Sequence, residues 1–340
     1  MPFPILKTPF VVLSEIINIL EPNEIVTASF CSKNMNSFLK NHYQRRKPLE
    51  WKLIMSHLWY RGKVDIVTSK DDEKRMTVIS LQPYRIDRSP LESKIKFNTE
   101  FLELYFESRE MGSKMIVEYV TDLFSIGVYG LDIDRTGIWT IDWINKCQEK
   151  MLVRFDFYKY PNMINWGGDA AIDYALRNAR ASDYYNLGDT VSDTFRFDGK
   201  MGPMKELYFP VRGHWVTLNN LINFDASHIV VRGSRLSVTD LYSFIRHWCA
   251  GGSPRLTFLK LEFEIETDFE NFEEQLEVVE TNVVGDYRLS DRKADYHFEH
   301  GYSIQRNDGV KAVIDFDIDH LVMMVFSDES NYRKTCTTTQ

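Results

Sequence analysis

The chain has 340 residues, 44% of them hydrophobic, and a formal net charge of −8. That is enough apolar material for one large domain and a small one, and it excludes global disorder. The acidic balance argues against broad attraction to phosphate backbones, so nucleic acid is not expected as a partner.

Cys31, Cys147, Cys249 and Cys336 lie far apart and form no C-x-x-C pair. Their scatter argues against a disulfide scaffold or a cysteine-rich zinc site, and the chain reads as reduced and intracellular, cytoplasmic or nuclear. It contains no N-x-[ST] acceptor, and Met1-Pro2-Phe3-Pro4 opens with neither a basic region nor a long apolar run. No segment approaches the roughly 20 apolar residues of a membrane-spanning helix. A soluble protein without a membrane partner is the expectation. The 22 Phe, 17 Tyr and 7 Trp suit strands and large contact surfaces.

From Pro9 the chain gives Leu13, Ile16, Ile17 and Leu20, the spacing of one apolar stripe along a helix. Glu21-Pro22-Asn23-Glu24 starts a second helix, because proline at the first helical position loses no needed donor and Glu24 suits the positive end of the dipole. That helix runs to Cys31, and Cys31-Ser32-Lys33-Asn34 restarts a third that ends near Leu39. Three short helices make too small a core to stand alone, so part of the first stripe must be covered by the chain's own body or by a partner. Periodicity leaves both open.

Phe3-Pro4-Ile5-Leu6, Pro9-Phe10, Leu13, Ile16, Leu20, Pro22, Ile25, Ser29 and Cys31-Ser32-Lys33 resemble the F-box in the form typical of a large nematode family. The resemblance implies that Pro9, Phe10, Leu13, Ile16, Ile17, Leu20, Pro22 and Ile25 belong to the surface that docks on the Skp-type adaptor of a cullin-RING ubiquitin ligase. Residues 1–45 are read as this module and 46–120 as a connecting region.

Within the connecting region, Trp51, Leu53, Ile54, Leu58 and Trp59 fit either a helix or a short strand, and Ser69 to Lys74 reads as a charged loop. Phe97 to Phe106 alternates apolar and acidic residues well enough for either element. Beyond it, 127–133 reads as a strand, 140–150 as a helix and 152–158 as a strand, a rhythm that predicts parallel neighbours joined by crossover helices. The clearest unit runs from Ile229 to Phe263. It places a strand at 229–231, a capping box at Ser237-x-x-Asp240 and a stripe of Leu241, Phe244, Ile245 and Trp248, with a stop at Gly251-Gly252 and Pro254 before a strand at 256–263. Strand centres at Leu207, Ile229 and Leu259 are 22 and 30 positions apart (229 − 207, 259 − 229), near the leucine-rich-repeat period but irregular.

Leu218 to Phe224, Asp225 to Ile229, Ser234-x-Leu236-Ser237, Asp240-Leu241, Phe244-Ile245, Trp248 and Gly251 to Leu256 are similar to the F-box-associated type 2 domain, and Ile304 to Ile314 resembles its closing motif. Asp308-Gly309 between apolar-polar runs independently signals a hairpin, with Leu321 to Phe326 as the last strand. The expected fold is α+β to α/β. A short amino-terminal three-helix F-box leads to a degenerate leucine-rich-repeat-like strand/helix solenoid over 121–330, closed by a β-hairpin cap. The core of the family resemblance falls at 216–264, the closing hairpin at 302–326 and a loose tail at 331–340.

No phosphate-cradling loop, G-x-S-x-G elbow or H-E-x-x-H occurs. Gly167-Gly168-Asp169 reads as a plain helix start, His297 and His300 as surface, and Cys249 as core. Asp132 with Asp134, and Asp315, Asp317 and Asp319, read as the wet faces of strands. Glu262 through Glu280 carries nine acids and no base, a solvated stretch. Tyr184, Tyr185 and Trp166 are candidate exposed aromatics. No catalytic, cofactor or metal site is expected. The chain reads as a non-catalytic substrate receptor holding an adaptor at one end and an unidentified target protein with its body. The alternative is an interaction scaffold whose F-box serves only as a fold cap.

Overall fold

The computed structural model describes residues 8–45, 50–59, 61–68, 75–83, 95–97, 100–159, 168–267, 269, 272–276, 278–281, 285–288, 295–298 and 301–326. The chain divides into two compact units, residues 1–152 and 153–340.

The amino-terminal unit opens with three helices, α1 (Phe10–Ile19), α2 (Pro22–Cys31) and α3 (Lys33–Gln44). The first two fall where the apolar spacing and Pro22 put them, while α3 runs five residues beyond Leu39 (44 − 39). The extra turn exists because His42 and Tyr43 find burial, which a reading that stopped at the last aliphatic residue missed. The strands β1 (Lys52–Leu58), β2 (Arg61–Val67) and β3 (Arg75–Pro83) form an antiparallel meander. β4 (Ile95–Phe97) and β5 (Leu102–Phe106) extend it, β5 running parallel to β3. After α4 (Arg109–Phe124), β6 (Val128–Ile133) pairs parallel with β1, and α5 (Trp139–Cys147) follows. Strand order within the unit is β6-β1-β2-β3-β5-β4.

Residues 52–58 are therefore a strand and no helix. Their ambiguity has a physical source: Leu53 through His57 are all buried, so neither face of β1 is wet and no alternation marks it. One face carries His57, whose Nδ1 meets Ser113 Oγ of α4 at 3.0 Å. Gly62 of β2 makes this approach possible, since a Cβ there would stand 2.4 Å from Ser113 Oγ. The other face carries paired charges: Asp132 holds Arg75 and accepts from Ser56 Oγ at 3.4 Å, and Asp65 takes Thr77 Oγ1 and Lys63 Nζ, each at 2.7 Å. Asp132 and Asp134 are buried rather than wet. Asp134 is retained there because it caps the turn at 135–137, accepting from the backbone of Thr136 at 2.8 Å and of Trp59 at 2.5 Å.

The carboxy-terminal unit comprises β7 (Leu152–Phe157), α6 (Gly168–Asn178), β8 (Ala181–Leu187), β9 (Met201–Phe209), α7 (Leu218–Asn223), β10 (Phe224–Ser234), α8 (Val238–Cys249) and β11 (Phe258–Phe263). It continues through α9 (Phe272–Leu276), β12 (Val279–Thr281), the two-stranded pair β13 (Gly285–Arg288) and β14 (Asp295–Phe298), β15 (Gly301–Gln305), β16 (Lys311–Asp317) and β17 (His320–Phe326). The main sheet runs β12-β15-β16-β17-β11-β10-β9-β8-β7. β8 to β11 pair parallel in chain order, and β17, β16, β15 and β12 add antiparallel strands beyond β11. Asp308 and Gly309 form the turn between β15 and β16, with Gly309 at φ +93.

Register fixes the two faces of this sheet. Leu207, Ile229, Leu259 and Met323 stand opposite one another on β9, β10, β11 and β17, and all are buried. Their neighbours Tyr208, Val230, Lys260 and Val322 point the other way. There cations lie over rings: Arg154 on Tyr184 at 5.1 Å, Arg232 on Tyr208 at 5.8 Å and Lys260 on Tyr296 at 5.8 Å. Helix α8 is capped as its sequence requires, Ser237 Oγ accepting from Asp240 N at 3.1 Å, and it stops before Gly251 at φ +97.

Candidate docking surface

Local rules set the amino-terminal helices before any packing. Leu13 N makes the first intrahelical bond of α1 to Pro9 O at 3.0 Å, while Glu21 N bonds to Glu24 Oε2 at 2.8 Å and Met35 N to the Ser32 hydroxyl at 3.1 Å, so the starts of α2 and α3 satisfy donors that would otherwise be orphaned. On this frame Leu13 and Ile17 of α1, Pro22, Ile25 and Val26 of α2, and Met35, Leu39 and Tyr43 of α3 are buried.

The module is then fixed to α4. Asn36 Nδ2 donates to Tyr119 Oη at 2.6 Å, the Tyr119 hydroxyl meets Ser29 Oγ at 2.6 Å, and Ser29 Oγ donates to Val26 O at 2.5 Å. The chain of donors has one sense, with Tyr119 donating to Ser29, and each bond polarises the next. Burial pushes the Tyr119 phenol above its ordinary value, which keeps the proton the chain needs. Phe30 lies 4.6 Å from the Tyr119 ring, Tyr43 packs edge-on to Phe124 at 5.1 Å, and Lys40 pairs with Asp122 at 2.6 Å. Tyr119→Phe is expected to cost about 1–2 kcal/mol, since the bonds to the buried Ser29 hydroxyl and the half-buried Asn36 amide both disappear. Faster hydrogen exchange across α2 and α3, with α8 unchanged, is the accompanying readout.

The eight residues expected to dock a partner separate. Leu13, Ile17, Pro22 and Ile25 are buried within the chain, Ile16 and Leu20 are half-buried, Pro9 is exposed, and the Phe10 side chain lies outside the described residues. The apolar residues left in solvent are others: Val11 at 71% exposure, Val12 at 49% and Ile19 at 80%. Val12, Ile16 and Ile19 follow i, i+4, i+7 and form a second stripe beside the buried one. The signal for it was present in Phe10 through Leu13, four apolar residues in succession, more than a helix with one buried face requires.

Elsewhere, Tyr185 is buried and donates its hydroxyl to Ala175 O at 2.6 Å, correcting its expected exposure. Tyr184 is half-buried and Trp166 lies outside the described residues. His297 is exposed on β14 opposite Asp286, while His300 and Cys336 lie outside the described residues. Cys249 is half-buried, and burial pushes its thiol above the ordinary value. Among the described residues no helix is long and apolar enough to cross a membrane.

Two family comparisons bear on these surfaces. The F-box domain matches residues 9–47, which span α1 to α3, and the F-box associated family matches residues 200–261. The chain carries an F-box and an F-box-associated domain. The F-box match coincides with the module that carries the exposed stripe. The associated match covers β9, α7, β10, α8 and most of β11, three of the strands that pair parallel in the carboxy-terminal sheet. No curated protein and no solved structure matches the chain.

Proposed function

We propose that this F-box protein is a non-catalytic substrate receptor of a Skp-cullin-F-box ubiquitin ligase. Its F-box docks the Skp-type adaptor and its body captures a target protein, with neither nucleic acid nor membrane as a partner. The observation that carries the reading is the solvent-exposed stripe of Val11, Val12 and Ile19 on a helix whose other apolar face is already satisfied. The receptor makes no bond itself. It raises the concentration of target lysines near the conjugating enzyme. The parallel strand–helix run from β8 to β11 supports a finer reading of the body as a degenerate leucine-rich-repeat-like solenoid, each unit covering the next.

Burying a valine or isoleucine stabilises a contact by about 1.5–3 kcal/mol, so each such residue in the adaptor interface is worth roughly tenfold or more in affinity. Val12→Asp with Ile19→Asp is expected to abolish co-purification with the adaptor and leave the chain folded with little loss of thermal stability, because Ile19 stands largely in water and Val12 about half so. Co-purification at the wild-type level would remove the docking role. The buried state of Leu13, Ile17, Pro22 and Ile25 favours the second reading in that event, a module retained as a cap on the amino-terminal unit.

A further inference from the structure

A second apolar surface lies in the amino-terminal unit, between α4 and the β4–β5 edge. It is a groove of about 520 Å³, inside the range of clefts that hold ligands. Its depth follows from burial: Ile79, Leu104 and Ile116 are covered and form the floor, while Met111 at 55% exposure and Met115 at 50% stand on the rim. Met111, Met115 and Tyr119 succeed one another at i, i+4 and i+8 along α4, a wall about 12 Å long at the helical rise per residue. Phe30 of α2 also lines the groove, so the F-box itself builds part of it. Phe106 of β5 can lie against the first turn of α4 because Gly112 has no side chain, a Cβ there falling 2.7 Å from the ring.

The floor and rim fit a particular occupant. A wall of that length matches the span of two helical turns, about 10.5 Å from i to i+7, and unbranched methionines adapt to apolar side chains of varied shape. Charge selects further. Glu107 is the one charged side chain among the described residues that line the groove, it is exposed, and no ion pair to it is formed among them. Arg109, two positions further along the sequence, donates to Thr136 Oγ1 at 2.9 Å. No cation lines the groove among the described residues.

We infer that this groove binds a two-turn amphipathic helix of a partner protein, its apolar residues on Met111 and Met115 and a lysine or arginine opposite Glu107. The inference rests on the receptor reading, to which it adds a target class, an apolar helix with a basic flank. Its test uses the full chain without adaptor, so failure of adaptor docking leaves the result intact.

The probes are two fluorescein-labelled peptides of about 14 residues, long enough to be partly helical alone. Both carry leucines at i, i+3, i+4 and i+7 in alanine, one with lysines on the polar face and the other with glutamates. Fluorescence anisotropy is expected to show saturable binding of the lysine peptide at least tenfold tighter than the glutamate peptide, a preference that shrinks with added salt. Met111→Glu with Met115→Glu should weaken the lysine peptide at least tenfold. A merely electrostatic attraction to an acidic protein would instead strengthen, since that variant gains two negative charges. Glu107→Lys should reverse the preference. No saturable binding, equal binding of the two peptides, tighter binding of the glutamate peptide, or wild-type affinity in the methionine variant would each overturn the assignment.

Discussion

Replacing Trp248 with alanine is expected to remove about 3–5 kcal/mol of stability, the range for truncating a fully buried aromatic ring. Trp248 is 0% exposed and closes the stripe Leu241, Phe244, Ile245 and Trp248 along α8. The Arg306 guanidinium lies over its ring at 5.3 Å, held from the other side by Asp308 at 2.8 Å. The indole N–H has no hydrogen-bond partner among the described residues, so the loss is one of packing and of the cation's seat rather than of a polar bond. Against the roughly 5–15 kcal/mol that holds an ordinary domain together, such a loss leaves the associated domain marginal. Urea denaturation should show a lower midpoint at unchanged slope. Trp248→Phe keeps a ring under Arg306 and should lose well under half as much. An alanine variant within about 1 kcal/mol of wild type would mean that the cavity collapses at little cost, and that α8 does not depend on this residue.

The same residue shows what the sequence made legible. Where one face of an element is apolar and the other wet, the period survives in the sequence: the stripe ending at Trp248 and the stripe through Leu13 and Ile17 were readable, and their caps at Ser237 and Glu21–Pro22 bounded them. Gly309 needs a left-handed backbone, so the Asp308-Gly309 turn was readable too. The period vanishes where both faces are covered. Leu53 through His57 form a central strand with no wet side, and neither length nor pattern told it from a helix. Asp132 and Asp134 repeat every second residue like solvated carboxylates, yet Arg75, Ser56, Thr136 and the Trp59 amide, partners far away in sequence or across a turn, hold them inside. The stripe on the first helix is ambiguous for the converse reason. Apolar spacing located a face that must be buried, but it cannot say whether the chain or a partner buries it, and here the chain's own core takes Leu13 and Ile17. Val11, Val12 and Ile19 became visible only once that core was accounted for.

Acid should weaken the amino-terminal unit through His57. The ring is 1% exposed, with Trp139 edge-on at 5.1 Å and Ser113 Oγ at 3.0 Å from Nδ1. Burial, helped by the positive charge of Arg109, lowers its pKa from 6.5 to about 3. The unfolded chain therefore takes up a proton below pH 6.5 that the folded chain refuses until about pH 3. Above pH 6.5 the group has no effect on stability. As pH falls through that window the unfolded state gains about 1.4 kcal/mol per unit, and the drift ends only near the folded pKa. By pH 5 the loss is about 2 kcal/mol from this residue. His57→Gln, which can still bond Ser113, starts from a lower stability at pH 7 but lacks the titration. The two proteins should converge by about 2 kcal/mol between pH 7 and pH 5 in urea denaturation. His228, also lowered by burial, and the carboxylates are present in both proteins and cancel in the difference. Parallel pH profiles would show that the His57 ring reaches water readily enough to titrate as it does in the unfolded chain, and the close seat of α4 on β1 and β2 would have to be looser than Gly62 and Ser113 imply.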